Sequence, residues 1–154
     1  MLAQGGFDLM VQGGTGDFEY ARASLIARTI VPLPAKLRLA LEAGGGTSWG
    51  SPSAQRMWYV GGPRTLRGYD PLLVGGADFG RGRVELARTA SFGSISLFSD
   101  FGWAGDFDGF DWNDGFTSVG VGTSLLDGIL RIDGAYGLDS PRGFRLDFYL
   151  DAIL

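Results

Sequence analysis

Apolar residues alternate with polar or very small ones along most of the chain, the period-two pattern of strands with two unlike faces. Over residues 144–154 the even positions Phe144, Leu146, Phe148, Leu150, Ala152 and Leu154 are all apolar, while Arg145, Asp147 and Asp151 stand among the odd ones. Going back along the chain, Leu130, Ile132, Tyr136 and Leu138 oppose Arg131 and Asp133. Thr117, Val119, Val121, Thr123 and Leu125 alternate with Ser118, Gly120, Gly122 and Ser124. Ile95, Leu97, Phe101 and Trp103 alternate with Ser96, Phe98, Asp100 and Gly102, and Val84 and Leu86 oppose Arg83 and Glu85. Leu37, Leu39 and Leu41 oppose Lys36, Arg38 and Glu42, and Ala21, Ala23, Leu25, Ala27 and Val31 oppose Arg22 and Arg28. Phe7, Leu9 and Val11 oppose Asp8 and Gln12. The pattern predicts an all-β chain of eight strands.

Short and long connections alternate between these strands. They are residues 13–17, a Pro32-Leu33-Pro34 turn, a long segment from about 44 to 77, a turn near Ala90, a loop over 105–115, an Asp127-Gly128 hairpin, and 139–142. Two architectures share this periodicity: a soluble antiparallel sandwich, and a transmembrane β-barrel with its apolar face toward lipid. Two features favour the barrel. Aromatics end the apolar faces (Phe7, Phe101, Trp103, Phe144), as interfacial girdles do, and the opposite faces mix Arg, Asp and Glu with Gly and Ser, as a wet lumen does. Slipping the last strand by one residue would aim Arg145, Asp147 and Asp151 at lipid, where an Arg costs roughly 2–4 kcal/mol near the midplane.

Composition narrows the chemistry. Neither Cys nor His occurs among the 154 residues, which removes thiolate nucleophiles, disulfides, Cys or His metal sites and imidazole acid/base catalysis. No serine lies in a G-x-S-x-G elbow, Lys36 is the one lysine and follows no phosphate-cradling glycine loop, and a net charge of −4 without a basic run argues against nucleic acid. The acidic, aromatic segment 106–115 lacks the oxygen spacing of a calcium loop, and Gly44-Gly45-Gly46-Thr47-Ser48 reads as a flexible loop. No enzyme activity, cofactor or metal is expected. Residues 1–6 carry no basic region and no apolar stretch, so no signal peptide is read there, and export would depend on preceding sequence.

The long connection holds Met57-Trp58-Tyr59-Val60-Gly61-Gly62-Pro63-Arg64-Thr65-Leu66-Arg67-Gly68-Tyr69-Asp70. This stretch resembles the conserved loop of the Omp85 superfamily, the surface-antigen type of outer-membrane barrel that includes BamA, in which a Gly-Gly pair precedes a Val/Leu-Arg-Gly-Phe/Tyr tetrad. Leu66, Arg67, Gly68 and Tyr69 match the tetrad. Gly75-Gly76 with Arg83-Val84-Glu85-Leu86, then Leu97-Phe98-Ser99-Asp100-Phe101-Gly102, then Gly120-Val121-Gly122 with Leu130-Arg131-Ile132-Asp133, resemble the family's following strands in order. The physical reading agrees. Parity puts Glu85 and Asp100 on the lumen faces of adjacent strands, where two carboxylates can hold an arginine that folds back on its loop. The resemblance implies the same pairing, and implies that the final strand (Phe144, Leu146, Phe148, Leu150, Ala152, Leu154) is recognised by the assembly machinery, although that strand ends in Leu rather than an aromatic.

Eight strands make a barrel just wide enough for its own side chains, whereas the family's barrel has sixteen. The chain is therefore read as the C-terminal half of such a barrel, without the periplasmic POTRA domains, and a closed eight-stranded barrel is not expected to hold residues 44–77 inside. The resemblance implies a bacterial outer-membrane location, lipid as the surrounding partner, client outer-membrane or secreted proteins, and barrel-assembly partners. The implied role is outer-membrane protein insertion or translocation. Two alternatives stay open: a passive structural or pore barrel, and the membrane tether of a patatin-like lipase. A membrane barrel predicts heat-modifiable gel migration of the detergent-refolded chain; a single band position, unchanged by boiling, would point to the soluble sandwich.

Overall fold

The computed structural model describes residues 2–16, 19–91, 93–126 and 129–150. Ten strands follow one another: β1 (Gln4–Gly14), β2 (Tyr20–Leu33), β3 (Leu37–Gly50), β4 (Trp58–Val60), β5 (Val74–Gly76), β6 (Asp78–Ala90), β7 (Gly93–Gly105), β8 (Phe116–Leu125), β9 (Leu130–Gly137) and β10 (Gly143–Leu150). Eight of them form one antiparallel sheet in the order β1-β2-β3-β6-β7-β8-β9-β10. The all-β class and the eight-stranded sheet agree with the periodicity. Closure does not: among the described residues β1 pairs only with β2 and β10 only with β9, so the sheet is open. Asp17, the Asp127-Gly128 hairpin and positions Asp151, Ala152 and Leu154 lie outside the described residues.

Apart from Asp78 and Arg88 near the ends of β6, the sheet strands keep their charges on one face, here called inner, which residues 51–77 cover. Within that segment β4 and β5 pair as a two-stranded ribbon, so the long connection is partly ordered strand rather than loop throughout. The core lies between this segment and the sheet and contains Val60, Leu66, Tyr69, Phe79 and Ala104, with Trp58, Leu73, Val74 and Phe116 packed against it. The outer face is largely apolar and, away from residues 105–115, bare. Phe144, Leu146, Phe148 and Leu150 on β10 are 51–72% exposed, as are Phe7, Leu9 and Val11 on β1 at 67–75%.

The glycine run 44–46 corrects the loop expectation. It continues β3, paired with Leu25 and Ile26 on one side and with Phe79 on the other. Its glycines are there for space. A Cβ on Gly46 would stand 2.6 Å from the Phe79 ring and 2.7 Å from the Ala23 carbonyl, so the Phe79 side chain lies over a position where the strand has none. Gly80, next to Phe79, has open space instead. Gly46→Ala should therefore destabilise the sheet by about 1–3 kcal/mol, and Gly80→Ala by less than about 0.5 kcal/mol, compared by denaturant titration of the two variants.

Candidate functional site

The tetrad 66–69 lies against the inner face, and each of its residues has a distinct seat. Thr65 and Leu66 follow a tight bend: their backbone N–H groups donate to the Gly62 carbonyl, and the Thr65 hydroxyl donates to the Gly61 carbonyl at 2.8 Å. That bend turns Leu66 down beside Val60, both fully buried, above Gly102 of β7. Gly68 adopts φ +87°, a left-handed conformation that a side chain disfavours, and any Cβ there would sit 3.2 Å from Ala135. Tyr69 packs edge-on against Phe116 and over Gly137. Its hydroxyl donates to the Thr117 carbonyl at 2.9 Å and accepts the Asp139 N–H at 2.9 Å, which ties the loop to the β9–β10 connection. Burial is the main force raising the Tyr69 pKa.

Arg67 is the centre. Its side chain has no solvent exposure and meets three carboxylates. Nε and Nη2 donate to the two Asp100 oxygens at 2.7 Å each, a bidentate fork, and the backbone N–H adds a third bond to Asp100 at 3.2 Å. Nη1 donates to Glu85 at 2.9 Å and to Asp133 at 3.2 Å. The guanidinium lies flat over Phe98, 3.3 Å from the ring centroid. Burial works against its charge, but the Asp100 hydrogen bonds and the Asp100, Glu85 and Asp133 charges outweigh it and raise the arginine above its ordinary value.

Two more arginines complete the balance. Arg83 donates to Asp100 at 3.1 Å and to the Pro63 carbonyl at 3.2 Å; Arg131 reaches Glu85 at 2.6 Å and Asp133 at 3.1 Å. The Tyr149 hydroxyl donates to Asp133 at 2.6 Å. Three arginines thus meet three carboxylates, with Tyr149 and Phe98 closing the shell, and the cluster is formally neutral. The structure brings Arg67 together with Glu85 and Asp100. Sequence reasoning missed Asp133, Arg131, Arg83, Tyr149 and Phe98 as members; their inward parity was the available signal.

The final-strand residues Phe144, Leu146, Phe148 and Leu150 are not part of this site: they point away from it on the outer face. The 105–115 loop also departs from a plain outer loop. Phe107 and Phe110 pack on Trp103 at 5.5 and 4.8 Å, and Trp112 packs on Phe101 at 5.5 Å, so it folds back over the outer face of β7. Its Asp111 accepts from Asn113, and no group of three acidic, Cys or His side chains suited to a metal occurs among the described residues. Every carboxylate of the cluster is engaged by arginines, an arrangement that can hold the loop in place. No family model matches the chain, and no curated protein was found to be similar to it.

The Arg67 cluster makes a quantitative demand. Arg67→Ala leaves buried carboxylates short of a partner and should cost about 3–5 kcal/mol. Combined with Glu85→Ala, the loss should fall short of the sum by about 0.5–3 kcal/mol; strictly additive losses in denaturant titrations would show that the two side chains do not interact.

Proposed function

We propose that the chain is an outer-membrane barrel segment of the Omp85 type, standing in lipid and serving the insertion or translocation of other proteins. The observation that carries this reading is the inversion of burial. Arg67, Asp100 and Asp133 are at most 1% exposed, while most large apolar side chains of the sheet strands face outward, Phe79 and Phe98 being buried on the inner face. In water such a fold would leave its hydrophobic face uncovered; in lipid the same face is the stable one. Among the described residues the outer face carries a charge only near the ends of β6, at Asp78 and Arg88. The sheet strands are 8–14 residues long, a span that suits the roughly 9–11 residues of a tilted transmembrane strand.

The tetrad and the ordered matches that follow it support the family assignment, and the seat of Arg67 supplies its mechanical sense. No covalent step or cofactor is involved. The loop occupies the inner face and sets the architecture of the lumen, while the weakly paired seam at the sheet edge is where a client meets the barrel. The location that follows is the outer membrane of a Gram-negative-type bacterium, with lipid, client barrels and assembly components as partners.

The test is reconstitution of the chain in lipid vesicles with an unfolded outer-membrane barrel added as client, its folding followed by gel shift. The chain should resist alkaline extraction and speed client folding at least several-fold, and Arg67→Ala should abolish the gain. Stable insertion without acceleration would overturn the assembly role in favour of a passive barrel, and extraction at high pH would overturn the membrane reading.

A further inference from the structure

The two charges of the outer face, Asp78 and Arg88, stand at opposite ends of one strand, and the outer positions of β6 between them are Gly80, Gly82, Val84 and Leu86. Ten residues separate the pair. At about 3.4 Å per residue and a tilt of about 40°, they lie about 25 Å apart along the membrane normal, the height of the apolar band of an outer-membrane barrel. Asp78 and Arg88 therefore fall at the two lipid interfaces, and the two interfaces differ in sign.

At the Asp78 end the rim is acidic and aromatic. The Asp78 carboxylate accepts the Phe107 N–H at 2.7 Å, Asp106, Asp108, Asp111 and Asp114 are exposed in the connection after β7, and Phe107, Phe110 and Trp112 pack on that strand. At the Arg88 end the rim is basic. Arg88 pairs with Leu37 in the register of β6 with β3, and its neighbour Thr89 donates its N–H to the Lys36 carbonyl at 3.0 Å, so the β2–β3 turn sets Lys36 beside Arg88. Arg38 follows two residues on. All three cations are exposed, and none is ion-paired among the described residues. Lys36 is the chain's one lysine and holds φ +60°, a left-handed conformation that glycine or asparagine adopts more easily, so the turn geometry does not account for a cation there.

We infer that this rim binds an anionic phospholipid, its headgroup phosphate taken by Arg88 and Lys36 with Arg38 alongside. The inference rests on the lipid-facing reading above. An arginine that points into lipid at an interface has headgroup phosphates as its counter-charge, and a guanidinium fits a phosphate bidentately. Charge complementarity selects the anionic class. The selection is local, because the whole chain carries a net charge of −4 and by itself repels an anionic surface. Short turns of outer-membrane barrels face the periplasm, which puts the 34–36 turn and its lipid in the periplasmic leaflet.

The chain lacks cysteine, so a single thiol can carry a fluorophore. Leu86→Cys lies on the outer face one step from Arg88, and Gly80→Cys lies one step from Asp78, where a Cβ meets open space. Each is labelled with bimane, refolded into phosphatidylcholine vesicles and titrated with phosphatidylglycerol or phosphatidylcholine bearing a nitroxide near the headgroup. Half-quenching at Leu86→Cys should need about fivefold less of the phosphatidylglycerol than of the phosphatidylcholine. The preference should vanish in about 1 M salt, where screening acts within about 3 Å. It should vanish as well with Lys36→Gln and Arg88→Gln together, persist with Arg88→Lys, and be absent at Gly80→Cys; quenching by phosphatidylcholine should stay the same throughout and reports the inserted fold. Equal quenching by both lipids at Leu86→Cys, a preference that survives salt, or the same preference at Gly80→Cys would each overturn the phospholipid site while leaving the lipid-facing reading intact. Absence of quenching by either lipid at both positions would overturn that reading, and the site with it.

Discussion

A guanidinium without water must be neutralised on the spot, and Arg67 meets that demand with carboxylates from three strands, Glu85 on β6, Asp100 on β7 and Asp133 on β9. Much of the inner face is arranged to make this possible. Arg83 and Arg131 share the same carboxylates so that none carries an unbalanced charge, and Phe98 floors the site. An arginine suits the position because a single planar fork binds both Asp100 oxygens and still turns Nη1 toward two further partners; an ammonium offers no such plane. Desolvation makes the cluster a poor source of net stability. What it specifies is position: the 51–77 segment sits where Arg67 and all three carboxylates are paired at once.

The same constraint accounts for the small residues. Gly102 lies under Val60, Gly120 under Phe98, Gly122 beside Asp133 and Gly137 under Tyr69, each at a point where a Cβ would enter a side chain of the cluster or of the loop above it. The 27 glycines are thus partly a mould for one buried loop. Space left by absent side chains on β7, β8 and β9 is taken by the tetrad and its partners, which lets charged groups pack at the density of an interior.

Much of this was legible beforehand because it is local or periodic. Alternation alone marks the eight sheet strands and sorts Glu85 and Asp100 to one face, and the Arg67 tetrad marks the loop that meets them. Alternation assigns a residue to a face but not to a neighbour, so Asp133, forty-eight positions beyond Glu85, could not be placed beside it. Gly44-Gly45-Gly46 looked like a loop because glycine runs punctuate turns far more often than they make room for a ring such as Phe79 on a strand two removed from β2. The return of Phe107, Phe110 and Trp112 onto β7 is a contact of aromatic surfaces with no period to reveal it.

Register joins the two faces into one requirement. Side chains alternate with a period of two, so a one-residue slip of β7 that carried Asp100 away from Arg67 would also turn Ile95 and Leu97 inward and Ser96 and Asp100 outward. Arg67 would lose its bidentate partner in the same step that placed a carboxylate on the apolar side. The penalties add, and neither can be relieved without the other, because every strand of the ladder is held to its neighbours through the same hydrogen bonds. The buried arginine and the bare hydrophobic face are therefore not two features of the fold. Holding one in place holds the other, and an apolar surroundings for the outer face stabilises the register that keeps Arg67 neutralised.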